Sequence, residues 1–218
     1  MDKEGEILEK LKKSILEFEA EDARLWATKV MEEGADPIKT ANVITEAIRQ
    51  VGAAFGLGDI FLPELISAAD AAKQAMPVIS EALKKSGKKR EVVGTIAIGT
   101  VAGDIHDIGK TIVAALFEAA GFEVIDLGID ISKEKFIEAV KEHKPDILGM
   151  SALLTTTAKE QGVVIESLKD AGIRDNVKII VGGGAINQAL ADQIGADGYG
   201  ATAAEGVELG LRLMTGKQ

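Results

Sequence analysis

Thr100-Val101-Ala102-Gly103-Asp104-Ile105-His106-Asp107-Ile108-Gly109-Lys110-Thr111 follows directly on an apolar run at 92–98 and opens a helical stretch at 109–120. A short apolar run that passes through a glycine-containing loop into a helix is the first half of a strand–helix–strand unit. The same alternation continues downstream. Strand-like runs at 122–127, 147–153, 177–181 and, weakly, 198–200 are separated by helical stretches at 133–143, 158–171 and 187–194, with a last helix at 203–214. Strands alternating with helices imply a parallel sheet covered on both faces. Five such units in about 130 residues fit an α/β, flavodoxin-like (Rossmann-like), doubly wound five-stranded sheet. Ligands of such a sheet bind at the carboxyl ends of its strands, where the quoted loop stands.

Upstream the period changes. Ile7, Leu8, Leu11, Ile15 and Phe18 recur at helical spacing, and Leu25, Trp26, Val30 and Met31 form a second stripe that stops at Gly34-Ala35-Asp36-Pro37. A third helix at 38–55 carries Val43, Ile44, Ala47, Ile48 and Val51, and Gly56-Leu57-Gly58-Asp59 breaks it. A fourth begins near Leu62-Pro63, where proline's missing amide does no harm, and ends before Lys84. Four amphipathic helices with short loops imply a four-helix bundle. Ser86-Gly87-Lys88-Lys89-Arg90 reads as an exposed linker, which places the domain boundary at 1–88 and 89–218.

Composition narrows the function. The 218 residues are 46% hydrophobic and carry a formal net charge of −10, and such a surface repels a phosphate backbone, which argues against nucleic acid as a partner. The chain has no cysteine, which excludes disulfides, iron–sulfur clusters and thiol catalysis. The charged start at 1–13 lacks the apolar core of a signal peptide, and no stretch is long enough to span a membrane, so a cytoplasmic protein without membrane partners is expected.

The chain has only two histidines, and His106 falls in the loop where this fold class binds ligands. Asp104, two residues earlier, is close enough to accept a hydrogen bond from one ring nitrogen and leave the other as a metal ligand. One imidazole alone cannot build a protein-only zinc or iron site. A metal that brings its own equatorial ligands needs only one, and haem and corrin are such cofactors. The competing reading is a surface histidine that caps the next helix. Gly109-Lys110-Thr111 looks like the end of a phosphate-binding loop, but five residues separate Gly103 from Gly109 where that motif needs four. Asp104 and Asp107 would also set negative charge against the phosphates.

Asp104-x-His106-x-x-Gly109 resembles the signature of cobalamin-binding proteins. Ser151-Ala152-Leu153, at the end of the third strand, stands where the family has Ser-x-Leu, and Gly182-Gly183 stands where it has a glycine pair. The intervals are similar to those of the cobalamin-binding module of cobalamin-dependent methionine synthase. Val51-Gly52-Ala53-Ala54-Phe55-Gly56 and Asp59-Ile60-Phe61-Leu62-Pro63-Glu64-Leu65 look like that family's helical cap. The whole chain resembles the stand-alone corrinoid proteins of methyltransferase systems.

This resemblance implies a cobalamin bound base-off, with its own nucleotide base off the cobalt and His106 coordinating the metal. Asp104 would set the tautomer of His106, and Thr157, which stands where the family's relay has serine, would extend the pair. Asp107, Ile108 and Gly109 would contact the cofactor, as would Leu153. Ser151 and Thr155 would bond the displaced base or tail, and Gly182, Gly183 and Gly184 would wall the tail. Phe55 and Leu62 would pack over the methyl group. The implied role is a carrier that accepts a methyl group on cobalt from a substrate:corrinoid methyltransferase. It would pass that group to a second methyltransferase, with tetrahydrofolate or coenzyme M as acceptor, and a reductive activase would serve it. The chain would itself be a non-catalytic subunit. Two other cobalamin classes remain: the subunit of a carbon-skeleton isomerase, whose modules generally lack this cap, and a cobalamin-based sensor, whose helical domain carries a Glu-His pair. The helical half here contains no histidine. His143, at a helix end just before the third strand, reads as a solvated cap on the edge of the sheet away from the cofactor.

Overall fold

The computed structural model describes residues 3–86 and 92–216. Most of the linker expected at 86–90 lies outside the described residues; Ser86 ends a helix. The chain divides into two compact units, Met1–Val92 with Glu118–Gly121, and Val93–Phe117 with Phe122–Gln218.

The first unit contains α1 (Lys3–Leu16), α2 (Ala20–Glu32), α3 (Pro37–Leu57) and α4 (Leu62–Ser86). Leu11, Ile15, Ile44, Leu65 and Ile79 are fully buried and form its core. Three details differ from the sequence expectation. First, α1 stops at Leu16, and Phe18 leaves the helix in the left-handed region at φ 67°. The amide of Phe18 donates to the carbonyl of Ile15 and that of Glu19 to Ser14, the paired bonds of a helix C-cap that glycine usually supplies. Second, α2 buries Ala23, Ala27 and Val30, while Leu25 is exposed and the ammonium groups of Lys10 and Lys29 lie over the Trp26 ring. Alanines let helices approach closely, so the packing stripe follows the small residues. The Asp36 carboxylate accepts from the Ile38 amide and starts α3, with Pro37 in the first turn. Gly58, at φ 81°, ends it. Third, α4 continues through Pro77 and past the expected end to Ser86.

The second unit is a five-stranded parallel sheet in the order β2-β1-β3-β4-β5. Its strands are β1 (Thr95–Val101), β2 (Glu123–Ile131), β3 (Ile147–Ser151), β4 (Lys178–Gly182) and β5 (Gly198–Gly200). The helices are α5 (Ile108–Ala119), α6 (Lys133–His143), α7 (Thr155–Asp170), α8 (Gln188–Ile194) and α9 (Ala203–Thr215). One face buries Ala97, Leu148, Ile179 and Val181 against Phe136 of α6 and Ile165 and Leu168 of α7. The other face presents Ile96, Ile98 and Ile180 towards Val113 and Phe117 of α5. The strand order reverses between β1 and β3, the point at which such a sheet opens a crevice. Three boundaries move. β1 begins at Thr95, β2 runs on past Leu127 to Ile131, and α7 begins at Thr155, so the first turn of the helix already contains Thr157.

Candidate functional site

The loop between β1 and α5 stands at the crevice. Asp104 is buried, and five groups donate to its carboxylate. Oδ1 accepts from the ring Nδ1 of His106 at 2.7 Å and from the His106 amide at 3.0 Å. Oδ2 accepts from the hydroxyl of Thr157 at 2.6 Å and from the amides of Leu153 and Leu154 at 2.8 and 3.4 Å. Burial alone raises the Asp104 pKa. The bonds from Thr157, from the amides of His106 and Leu153, and from the His106 ring outweigh it and hold the carboxyl well below the usual carboxylate range. An ionised Asp104 fixes the proton of neutral His106 on Nδ1, so the lone pair sits on Nε2. The side chain of His106 is 48% exposed, and among the described residues no group bonds Nε2. The ring is thus held through Nδ1 by a carboxylate that is itself held by a hydroxyl. Among the described residues no cluster of three metal-ligating side chains exists.

A Cβ on Gly103 would meet Thr157 Cγ2 at 3.7 Å, an ordinary contact.

Beside His106 a cavity of about 790 Å³ opens between the sheet and helices α5 and α9. Apolar side chains and glycines share its walls. Gly149, Gly182 and Gly200 line it from three strands, and Gly206 lines it from α9. A Cβ on Gly206 would find no atom within 4 Å, although the residue is buried, so the space there is real. Gly183, at φ 117°, turns the chain after β4, and a Cβ there would overlap the carbonyl oxygen of Ala152. Only glycine fits at that point. A Cβ on Gly184 would press on Leu153 Cδ1 at 2.8 Å.

Of the residues singled out from sequence, His106, Asp107, Ile108, Gly109, Ser151, Leu153, Gly182, Gly183 and Gly184 line this cavity. Asp104 and Thr157 lie behind His106. Thr155 is exposed on the first turn of α7 and is absent from the cavity wall. Phe55 on α3 and Leu62 at the start of α4 belong to the helical unit, both half-buried. His143 is exposed in the last turn of α6.

Sequence reasoning missed Gly149, Gly200, Thr202 and Gly206 as wall residues. A glycine inside an otherwise apolar strand, as at Gly149, is the available sign of a close approach. It also missed Lys110. This lysine is buried at the start of α5, and its ammonium lies 2.6 Å from both carboxylate oxygens of Asp126 on β2, which ties the helix to the strand. Gln161 on α7 is similar. Its amide nitrogen donates to the carbonyls of Met150 and Gly182 at 3.0 Å each and joins the ends of β3 and β4.

A doubly wound sheet with an acid-anchored histidine beside a crevice at its switch point is the architecture of a ligand-binding module. A family model described as a B12 binding domain matches residues 94–208, and a second B12 binding domain model matches residues 7–80. The chain belongs to the B12-binding family. It is 44% identical over 203 residues to trimethylamine corrinoid protein 2 of Methanosarcina mazei, covering 93% of each chain. It is 40% identical to dimethylamine corrinoid protein 1 of the same organism over the whole of both chains. Among solved structures, it is similar to the methanol:cobalamin methyltransferase complex MtaBC from Methanosarcina barkeri, with a TM-score of 0.85 and 33% identity over 97% of this chain and 80% of that one.

Proposed function

We propose that this chain is a corrinoid methyl carrier that binds cobalamin base-off, with His106 Nε2 as the protein's ligand to cobalt. Bound cobalamin supplies a metal centre that takes up and releases a methyl group, and the protein controls ligation and access. The observation that carries the reading is the prepared Nε2 of His106 at the mouth of the 790 Å³ cavity. The cavity has room for a displaced nucleotide tail, and Gly206 leaves open space beside it.

Each residue then has a task. Asp104 keeps the ring of His106 oriented and its Nδ1 protonated. Thr157 donates to the far oxygen of Asp104 and holds the carboxylate in place. Ser151, Leu153 and Gly182–Gly184 form the wall beside the tail, and Asp107, Ile108 and Gly109 contact the cofactor from the loop. Thr155 is the less supported member, because it lies outside the wall. The family resemblance assigns Phe55 and Leu62, in a helical domain of residues 1–88, to the methyl-bearing face, and residues 89–218 to the cofactor.

A substrate:corrinoid methyltransferase is the proposed source of the methyl group. A second methyltransferase, acting on tetrahydrofolate or coenzyme M, is the proposed acceptor, with a reductive activase as a third partner. Relatives named for trimethylamine and dimethylamine make those the first donors to test. Among the described residues no helix is long and apolar enough to cross a membrane, and a cytoplasmic setting fits this role.

The test is reconstitution. Purified protein mixed with hydroxocobalamin should stay coloured after desalting, at close to one cofactor per chain. Electron resonance of the cobalt(II) form should show nitrogen splitting that disappears in His106→Ala. Colourless protein overturns the corrinoid reading, and splitting that survives the substitution overturns the ligand assignment.

A further inference from the structure

We infer that Asp130 is a positioning residue for the metal-ligating loop, acting through the backbone of Asp104. The inference rests on the proposed ligation by His106 and adds a residue to it. β2 is irregular beside that loop. Ile98 pairs with Asp126, Gly99 with Gly128 and Val101 with Ile131, so β2 gains one residue on β1 at each of two steps. Extra residues of this kind bend a strand and re-aim its side chains, commonly next to functional sites. Here they put Asp130 at φ 52°, in the left-handed region that costs residues with a side chain and that aspartate tolerates better than most.

That conformation turns two groups of one residue onto the same loop. The Asp130 carboxylate accepts from the amide of Gly103 at 2.7 Å, and its own amide donates to the carbonyl of Asp104 at 3.1 Å. The other bonds along the loop's backbone are internal to it and the end of β1. The Thr100 hydroxyl donates to the His106 carbonyl, and the Asp104 amide donates to Val101. The side chain of Asp104 is held from β3 and α7, by Leu153, Leu154 and Thr157. Asp130 holds the backbone of the same residue from the opposite neighbour of β1. With both ends fixed, the carboxylate cannot follow a movement of the His106 ring, and the direction of Nε2 is set. Asp130 is itself exposed, so changing it removes no core packing.

Two substitutions separate the roles. Asp130→Asn keeps an acceptor oxygen and tolerates the left-handed backbone. Asp130→Gly relieves the backbone and removes the acceptor. Each protein, loaded with cobalamin and reduced to cobalt(II), is read by electron resonance for the ratio of nitrogen-ligated to unligated cobalt. Each is also read without cofactor, by hydrogen exchange at the Gly103 and His106 amides. The Asn variant should match the parent in both. The Gly variant should lower the ligated ratio by about threefold or more, below the tenfold or more expected for a partner bonded directly to the ligand, and should speed exchange at Gly103. A Gly variant with parental splitting and parental protection overturns the inference, as does an Asn variant that behaves like Gly. If the parent itself binds no cobalamin or shows no nitrogen ligand, the reading of His106 fails instead. The exchange data from the cofactor-free proteins then decide whether Asp130 clamps the loop.

Discussion

The hydroxyl of Thr157 stands 2.6 Å from Oδ2 of Asp104, across 53 positions of sequence, and both residues are buried. The same hydroxyl lies 3.0 Å from the carbonyl of Leu154, but it has one proton, and the carboxylate is the closer and stronger acceptor. Thr157→Val keeps the shape and removes the donor. A hydrogen bond to a charged group contributes about 1.5–3 kcal/mol, and a buried carboxylate that loses one is left under-satisfied. Urea titration should therefore show a loss of that size, whereas Thr157→Ser should stay within about 1 kcal/mol of the parent, since it keeps the donor. A valine variant as stable as the parent would mean that the bond contributes nothing net.

Acid should destabilise the sheet unit through Asp104 and Asp197. Asp197 sits at the far end of the strands, where burial raises its pKa. The amide of Ile179, the guanidinium of Arg174 and the ammonium of Lys178 outweigh that and hold it low. In both residues the folded value lies below the unfolded one, about 3.9, so the folded state binds fewer protons. Their stabilisation is present above the unfolded value and is lost as pH falls through it towards the folded values. Urea midpoints should be flat near neutrality and fall steadily below about pH 5. Asp197→Asn should start lower and fall less steeply. Midpoints that rise on acidification would contradict the assignment.

The alternation of apolar runs and helical stretches made the parallel sheet legible, because strands buried on both faces must be apolar throughout. The link between Asp104 and His106 was legible for a local reason: two residues apart in a loop, they can bond each other. Thr157 was reachable only through family resemblance, since no local pattern joins it to Asp104. The end of β2 was missed because Gly128 and Asp130 break the apolar run, whereas the strand continues through them irregularly, with Gly128 at φ 91°. The end of α1 was missed because Phe18 does the work of a glycine cap. Gly206 was invisible because a glycine inside a helix signals only weakness until the empty space beside it is seen.

Gly183→Ala should be among the most damaging single changes in the sheet unit. At φ 117° a side chain is strained, and the new Cβ would overlap backbone atoms of Ala152, which cannot swing aside as a side chain does. Backbone strain alone costs roughly 1–3 kcal/mol. The Ala152 amide is bonded to the Gly182 carbonyl, so the overlap would also pull on the junction of β3 and β4. A thermal melt should show a clear drop. Gly109→Ala, with an unremarkable φ and no atom within 4 Å of the added methyl, should be stable by the same measurement.

Gly206→Leu should separate folding from cofactor binding. Gly206 lies in the first turns of α9, buried against the cavity, with no atom within 4 Å of where a Cβ would stand. Replacing a helix glycine by leucine removes a conformational penalty of roughly 0.5–1 kcal/mol. The added side chain has only the cavity to enter, where it would be shielded by apolar groups such as Ile98, Val113 and Ile180. The variant should therefore melt no lower than the parent. The space left for the nucleotide tail would shrink by several carbon atoms. Titration with hydroxocobalamin should show affinity reduced by about tenfold or more, which corresponds to about 1.4 kcal/mol. Nitrogen ligation by His106 in whatever cobalt(II) complex still forms should be little changed, because the loop carrying Asp104 and His106 is remote from α9 in sequence and is held by its own bonds. A variant that folds well and binds cobalamin as tightly as the parent would show that the tail does not occupy this cavity.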